Sequence, residues 1–153
     1  MLIAFFDSQG MVHKEFVPEG QTVNADFYVE VLQHLCKRIQ HVRPKMWEDR
    51  TFFLLHDNAP AHTATRTVQF LAQKGITVLS HPPYSPDLSP PDYFLFPRLK
   101  FAMKGARYDL VEDIHNAVTR ELKAIPLSAF SEAMNRLQTR SKRCVQLQGD
   151  YFE

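Results

Sequence analysis

The sequence predicts a layered α/β domain, and three observations carry that prediction. Short strand-like runs alternate with amphipathic helical stretches in the first half, helical patterns alone fill the second, and a proline-rich bridge joins the halves. Residues 2–6 and 12–17 are apolar or alternating runs, and Asp7-Ser8-Gln9-Gly10 between them has the chemistry of a tight turn. The chain therefore opens on a β-hairpin. Asn24 is placed to cap a helix in which Phe27, Val31, Leu35 and Ile39 recur every four residues until Pro44 stops it. Lys37, Arg38 and Arg43 near its end suit the negative pole of the helix dipole. Residues 51–55, Thr-Phe-Phe-Leu-Leu, are a continuous β-prone run, the pattern of a strand covered on both faces. A second helix over about 63–74 stops at Gly75, and residues 76–79 read as another short strand.

Residues 82–97 hold six of the ten prolines, which predicts a stiff, extended connection on the surface, rigid enough to position a residue. Beyond it, residues 93–103, 111–125 and 128–147 read as three helices, with apolar sets such as Val111, Ile114, Val118 and Leu122, and Phe130, Met134 and Leu137. No internal repeat or low-complexity tract interrupts them.

Composition narrows the function. The 153 residues are 44% hydrophobic and 23% charged, the make-up of one globular domain and not of a disordered chain. Eighteen Lys+Arg against seventeen Asp+Glu give a net charge of +1, which excludes a wholesale polyanion-coating protein and leaves local patches open. One such patch is residues 98–143, with ten Lys/Arg against five Asp/Glu, where Arg136, Arg140, Lys142 and Arg143 cluster best. They could neutralise DNA phosphates, or simply form a solvated helical surface. Two cysteines, Cys36 and Cys144, are too few for a disulfide framework or a four-thiolate zinc site, and a reducing compartment fits them. The opening apolar run of residues 1–6 is too short for a membrane span and lacks the basic start of a signal peptide.

Two aspartates stand out by position. Asp57 lies just past the end of the 51–55 run, where α/β sheets gather ligands, and its carboxylate could hold a hard cation or cap the next helix. Asp92 lies at the far end of the proline bridge, where it could cap the helix that follows; 34 residues, 58 to 91, separate the two. A zinc reading would gather His56, His62 and His81 around Asp57.

The segment His56-Asp57-Asn58-Ala59-Pro60-Ala61-His62-Thr63-Ala64, followed by Leu79-Ser80-His81-Pro82-Pro83-Tyr84-Ser85-Pro86-Asp87-Leu88-Ser89-Pro90-Pro91-Asp92-Tyr93, resembles the catalytic core of mariner-type DNA transposases of the Tc/mariner superfamily. Both signatures occur in order and at the family's spacing. The likeness runs from the opening hairpin to Cys144 and Gly149-Asp150-Tyr151-Phe152-Glu153. It implies an RNase H-like (DDE/D) fold, present here as a single partial catalytic domain: a hairpin and α/β core at 1–79, the proline-rich connection at 80–97 and a helical part at 98–153.

The resemblance also implies the chemistry. Asp57 matches the second catalytic and metal-binding aspartate and Asp92 the third, Asp87 matches a non-catalytic one, and His56, Asn58 and His62 line the site. The ions are Mg²⁺ or Mn²⁺, the reaction is DNA cleavage and strand transfer, and the partner is DNA, with nuclear location (or cytoplasmic by default), no membrane, no small-molecule substrate and a homodimer left open. The family's first aspartate lies on a central strand upstream of the hairpin, and these residues do not contain it. The resemblance therefore implies impaired catalysis by this chain alone. It also implies a marginally stable sheet, unless the hairpin moves to pair with residues 51–55 or another chain supplies a strand. A non-catalytic DNA-binding or protein-interaction module, and a decayed fragment, are the alternatives.

Overall fold

A computed structural model describes residues 1–147, so the Gly149-to-Glu153 match lies outside the described residues. The chain divides into two compact units, one built from residues 1–5 and 12–84, the other from 6–11 and 85 onward.

The hairpin forms as expected, with β1 at Leu2–Asp7 and β2 at Gly10–Phe16. Its turn is locked locally: the Asp7 carboxylate accepts the Gln9 N–H at 2.9 Å, and Gly10 adopts a φ of 117° that L side chains rarely reach. Helix α1, Ala25–Val42, is capped by the Asn24 side chain, which accepts the Phe27 N–H at 2.9 Å. One face of α1 buries Tyr28, Leu32, Leu35, Cys36 and Ile39, and this face is the spine of the first unit's core. Leu54, Ala61, Phe70, Leu71 and Ile76 close around it. Each fully buried aliphatic or aromatic side chain contributes about 1.5–3 kcal/mol, so this core is what holds the unit.

Pro44 both ends α1 and begins a short helix, α2 at Pro44–Asp49, because a proline at the first helical position gives up only an N–H that lacks a helical partner anyway. The expected 63–74 helix is two pieces, α3 at Pro60–Thr63 and α4 at Thr65–Gln73, broken where Ala64 turns extended. Thr67 mends the break, its buried hydroxyl donating to the Ala61 carbonyl at 2.6 Å.

Strand β3 is Phe53–Leu55 and pairs in parallel with β4, Thr77–Leu79. The hairpin has not moved onto it: among the described residues β1 pairs with β2 and β3 with β4, in two separate two-stranded sheets. The expectation of a strand covered on both faces fails for a related reason. Leu54 is buried but Phe53 is 65% exposed, because alternation along the strand turns neighbouring side chains to opposite faces and only one face meets the core.

In the second unit the proline-rich bridge departs from expectation as well. It is neither extended throughout nor confined to the surface: Pro86–Leu88 forms a 3₁₀ turn, Pro91–Leu95 a π turn, and Leu88, Pro90, Phe94 and Leu95 are buried. The π turn has a local cause. Pro97 lacks an N–H, and in a regular helix its ring would crowd the carbonyl of Tyr93 four residues back; the wider turn, closed by the Phe96 N–H on the Pro91 carbonyl, relieves that. Helices α5 (Phe96–Ala102), α6 (Val111–Ala124) and α7 (Leu127–Gln146) follow. Phe6, Phe94 and Phe130 meet edge to face or tilted, with ring centroids 5.5–6.0 Å apart, at the centre of this unit. Val111 and Ile114, expected to pack inward, are exposed on α6, whereas Val118 and Leu122 are buried.

Candidate metal centre

Asp57 lies two residues past the end of β3, and its side chain is 59% exposed. Local geometry fixes it. The Oδ1 atom accepts the Ala59 N–H at 3.0 Å, an Asx turn that leads the chain into α3, and lies 2.8 Å from Nδ1 of His62. That nitrogen also approaches the Asp57 carbonyl, at 3.2 Å, so it is the protonated one and donates. Asn58 points the other way and donates from Nδ2 to the His81 carbonyl at 2.8 Å, tying the end of β3 to the segment after β4.

Behind Asp57 stands a stack of aromatic groups. The His56 and His62 rings are nearly parallel, 4.7 Å apart, and Tyr28 packs against His62 at 4.2 Å. Burial holds the His56 imidazole down at about 4, helped by the nearby His62 and opposed by Asp57, so it is neutral at pH 7. Burial, together with the Asp57 charge, raises the Tyr28 phenol well above its usual range. The phenol therefore keeps its proton and donates to Nδ1 of His56 at 2.8 Å, which leaves the His56 proton on Nε2.

Asp92 belongs to the second unit. It is exposed, in the first turn of the Pro91–Leu95 π turn, and its N–H bonds to the Ser89 carbonyl at 2.9 Å. Pro90, not Asp92, occupies the capping position. The adjacent Tyr93 donates to the Ala133 carbonyl at 2.6 Å, and Arg140 and Arg136 lie over its ring at 4.5 and 5.7 Å. Arg140 also donates to the Asp87 carbonyl at 3.1 Å. Two of the four basic residues read as a DNA surface thus brace the turn that carries Asp92. Lys142 and Arg143 are exposed on α7.

The zinc reading fails on geometry. Among the described residues no three of Asp57, His56, His62 and His81 bring donor atoms within 4.8 Å of one another, and the Tyr28 hydroxyl, which is outside that set, engages Nδ1 of His56. Tyr28 was not legible as a site residue, because in sequence it is one more apolar-face position of α1.

A family model described as "Transposase (partial DDE domain)" matches residues 1–49. Over its whole length the chain is 34% identical to the Mariner Mos1 transposase of Drosophila mauritiana and 31% identical to the histone-lysine N-methyltransferase SETMAR of Homo sapiens. It spans 45% of the first and 22% of the second, less than half the length of either relative. The solved structure of the Mos1 transposase catalytic domain with raltegravir and Mg superposes on 99% of the chain at a TM-score of 0.91 and 34% identity, with 76% of that domain covered. Its counterpart with Mn matches equally well. Two aspartate signatures in order, a hairpin followed by a parallel strand pair and helices, and this likeness together place the chain in the mariner-type transposase family, as part of its RNase H-like catalytic domain.

Proposed function

We propose that Asp57 and Asp92 are two of the three carboxylates of a divalent-metal-dependent centre for DNA strand cleavage and strand transfer, acting on transposon DNA in the nucleus. The observation that carries this reading is Asp57 itself: an exposed carboxylate just past the end of a parallel strand, oriented through one oxygen by a backbone N–H and an imidazole. The residues fit a hard cation such as Mg²⁺ or Mn²⁺, because the described hydrogen bonds of the carboxylate run to Oδ1 and leave Oδ2 as a ligand atom. Asp92 is likewise exposed, and the family resemblance matches it to the third carboxylate. When bound, such ions lower the pKa of an attacking hydroxyl and stabilise the leaving oxygen of a phosphodiester. The chain's own contribution is orientation: His62 holds the Asp57 carboxylate, neutral His56 and Tyr28 hold His62, and Asn58 anchors the strand end. With two of the family's three aspartates, these 153 residues alone are expected to nick DNA poorly.

Mn²⁺ titration read by electron paramagnetic resonance, beside nicking of supercoiled plasmid, tests this. Asp57→Ala should weaken Mn²⁺ binding by at least about tenfold and remove residual metal-dependent nicking, while Asp87→Ala changes neither. Nicking or Mn²⁺ binding that survives Asp57→Ala unchanged overturns the reading.

A non-catalytic DNA-binding module is the second reading, favoured by the exposed Lys142 and Arg143. It requires salt-dependent DNA binding that is indifferent to Asp57→Ala and weakened by neutralising those two side chains.

A further inference from the structure

A cluster far from Asp57 in sequence has the donor chemistry of a different kind of metal. His13 and Glu15 are two residues apart on β2 and so share a face of the strand, with buried Val12 on the other. His34, on α1, reaches the same point. Nε2 of His13 lies 2.8 Å from Glu15 Oε2, and Nδ1 of His34 lies 3.0 Å from Oε2 and 3.1 Å from Oε1. One donor atom from each residue lies within 4.8 Å of the others, and among the described residues this is the only His, Cys, Asp or Glu group of three or more to do so.

We propose that His13, Glu15 and His34 form a binding site for a divalent transition-metal ion of the zinc type, with the fourth position open to water. The chemistry selects the class. Two imidazoles and a carboxylate are a recurring three-ligand zinc set, whereas Mg²⁺ takes oxygen donors and resists losing its water. The spacing fits as well: donors about 2.0–2.1 Å from a tetrahedral ion stand about 3.3 Å apart, so replacing the hydrogen-bonded protons by an ion needs shifts of a few tenths of an ångström at the Glu15 contacts.

The site is largely pre-formed. The His13 side chain is 16% exposed and stacks on Phe5 with an interplanar angle of 21°, and Arg38, one turn beyond His34, donates to the Val12 carbonyl and pins β2 against α1. His34, 52% exposed, leaves an entry path from solvent. A bound ion would fasten the hairpin to α1 and so stabilise the first unit by mass action.

The test uses the full chain without a purification tag, stripped with chelator and titrated with Zn²⁺ and, for its visible absorption, Co²⁺. Stoichiometric uptake, a raised thermal midpoint, and at least about tenfold weaker binding in His34→Ala and Glu15→Gln are expected, with the exposed His41→Ala unchanged. Urea midpoints without metal identify any variant that merely misfolds, and the exposed position of His34 makes its variant the one to rely on. Failure of the wild-type chain to take up Zn²⁺, unchanged affinity in folded His34→Ala, or an equal loss in His41→Ala would each overturn the proposal.

Discussion

Asp57 and Asp92 are held in place by opposite means. Around Asp57 the support is polar and titratable: a backbone N–H, the His62 imidazole, and behind them the neutral His56 accepting from a buried tyrosine. Around Asp92 the support is backbone and packing. A π turn forced by Pro97 sets its position, Phe94 beside it packs on Phe6 and Phe130, and Tyr93 is clamped by two arginines. A carboxylate held by hydrogen bonds responds to single-atom changes. One held by packing responds to lost volume.

The largest effect expected from that contrast is on the packed side. Phe130→Ala removes a fully buried ring and should cost about 3–5 kcal/mol, read as a lower urea midpoint. Against a typical domain stability of about 5–15 kcal/mol that is a large loss. A cost below about 1 kcal/mol would show that the aromatic centre is not what holds the turn.

Tyr28→Phe is the matching change on the polar side. It keeps the ring and deletes the hydroxyl, so a part-buried imidazole nitrogen loses its donor, at about 1–3 kcal/mol. Because His56 is then free to reorient, the nearby imidazole and carboxylate resonances should shift in NMR spectra, while those of Tyr93 and Phe130 stay fixed.

The third effect is a pH slope. His56 titrates near 4 in the folded chain against an ordinary 6.5, so between those values the unfolded chain binds more protons. Stability should therefore decline as pH falls from about 6.5 to about 4 and stay flat with respect to this group above pH 7. Urea midpoints measured across that range should lose part of the slope in His56→Gln, and an unchanged slope would remove His56 from the account.

Legibility followed the range of the interaction that mattered. The hairpin turn, the Asn24 cap and the stop at Gly75 depend on residues within a few positions of one another, and each is where its local chemistry put it. The bridge was read from proline content alone, which specifies φ but not whether apolar residues among the prolines find a core; Leu88, Phe94 and Leu95 do. The two aspartate signatures were legible in the sequence, and the contacts around them were not. Tyr28 meets His56 across 28 positions, and Glu15 meets His34 across 19, with no periodicity to announce either contact.

What the residues alone determined is therefore local: where helices start and stop, which strands can form, and which carboxylates stand at strand or turn ends, since these follow from backbone dihedrals and hydrogen bonds between near neighbours. What only the tertiary structure decided is which side chains share a microenvironment. Burial and through-space charge set whether an imidazole is neutral, whether an arginine braces a tyrosine, and whether three donors converge, and those quantities exist only once distant segments are packed together.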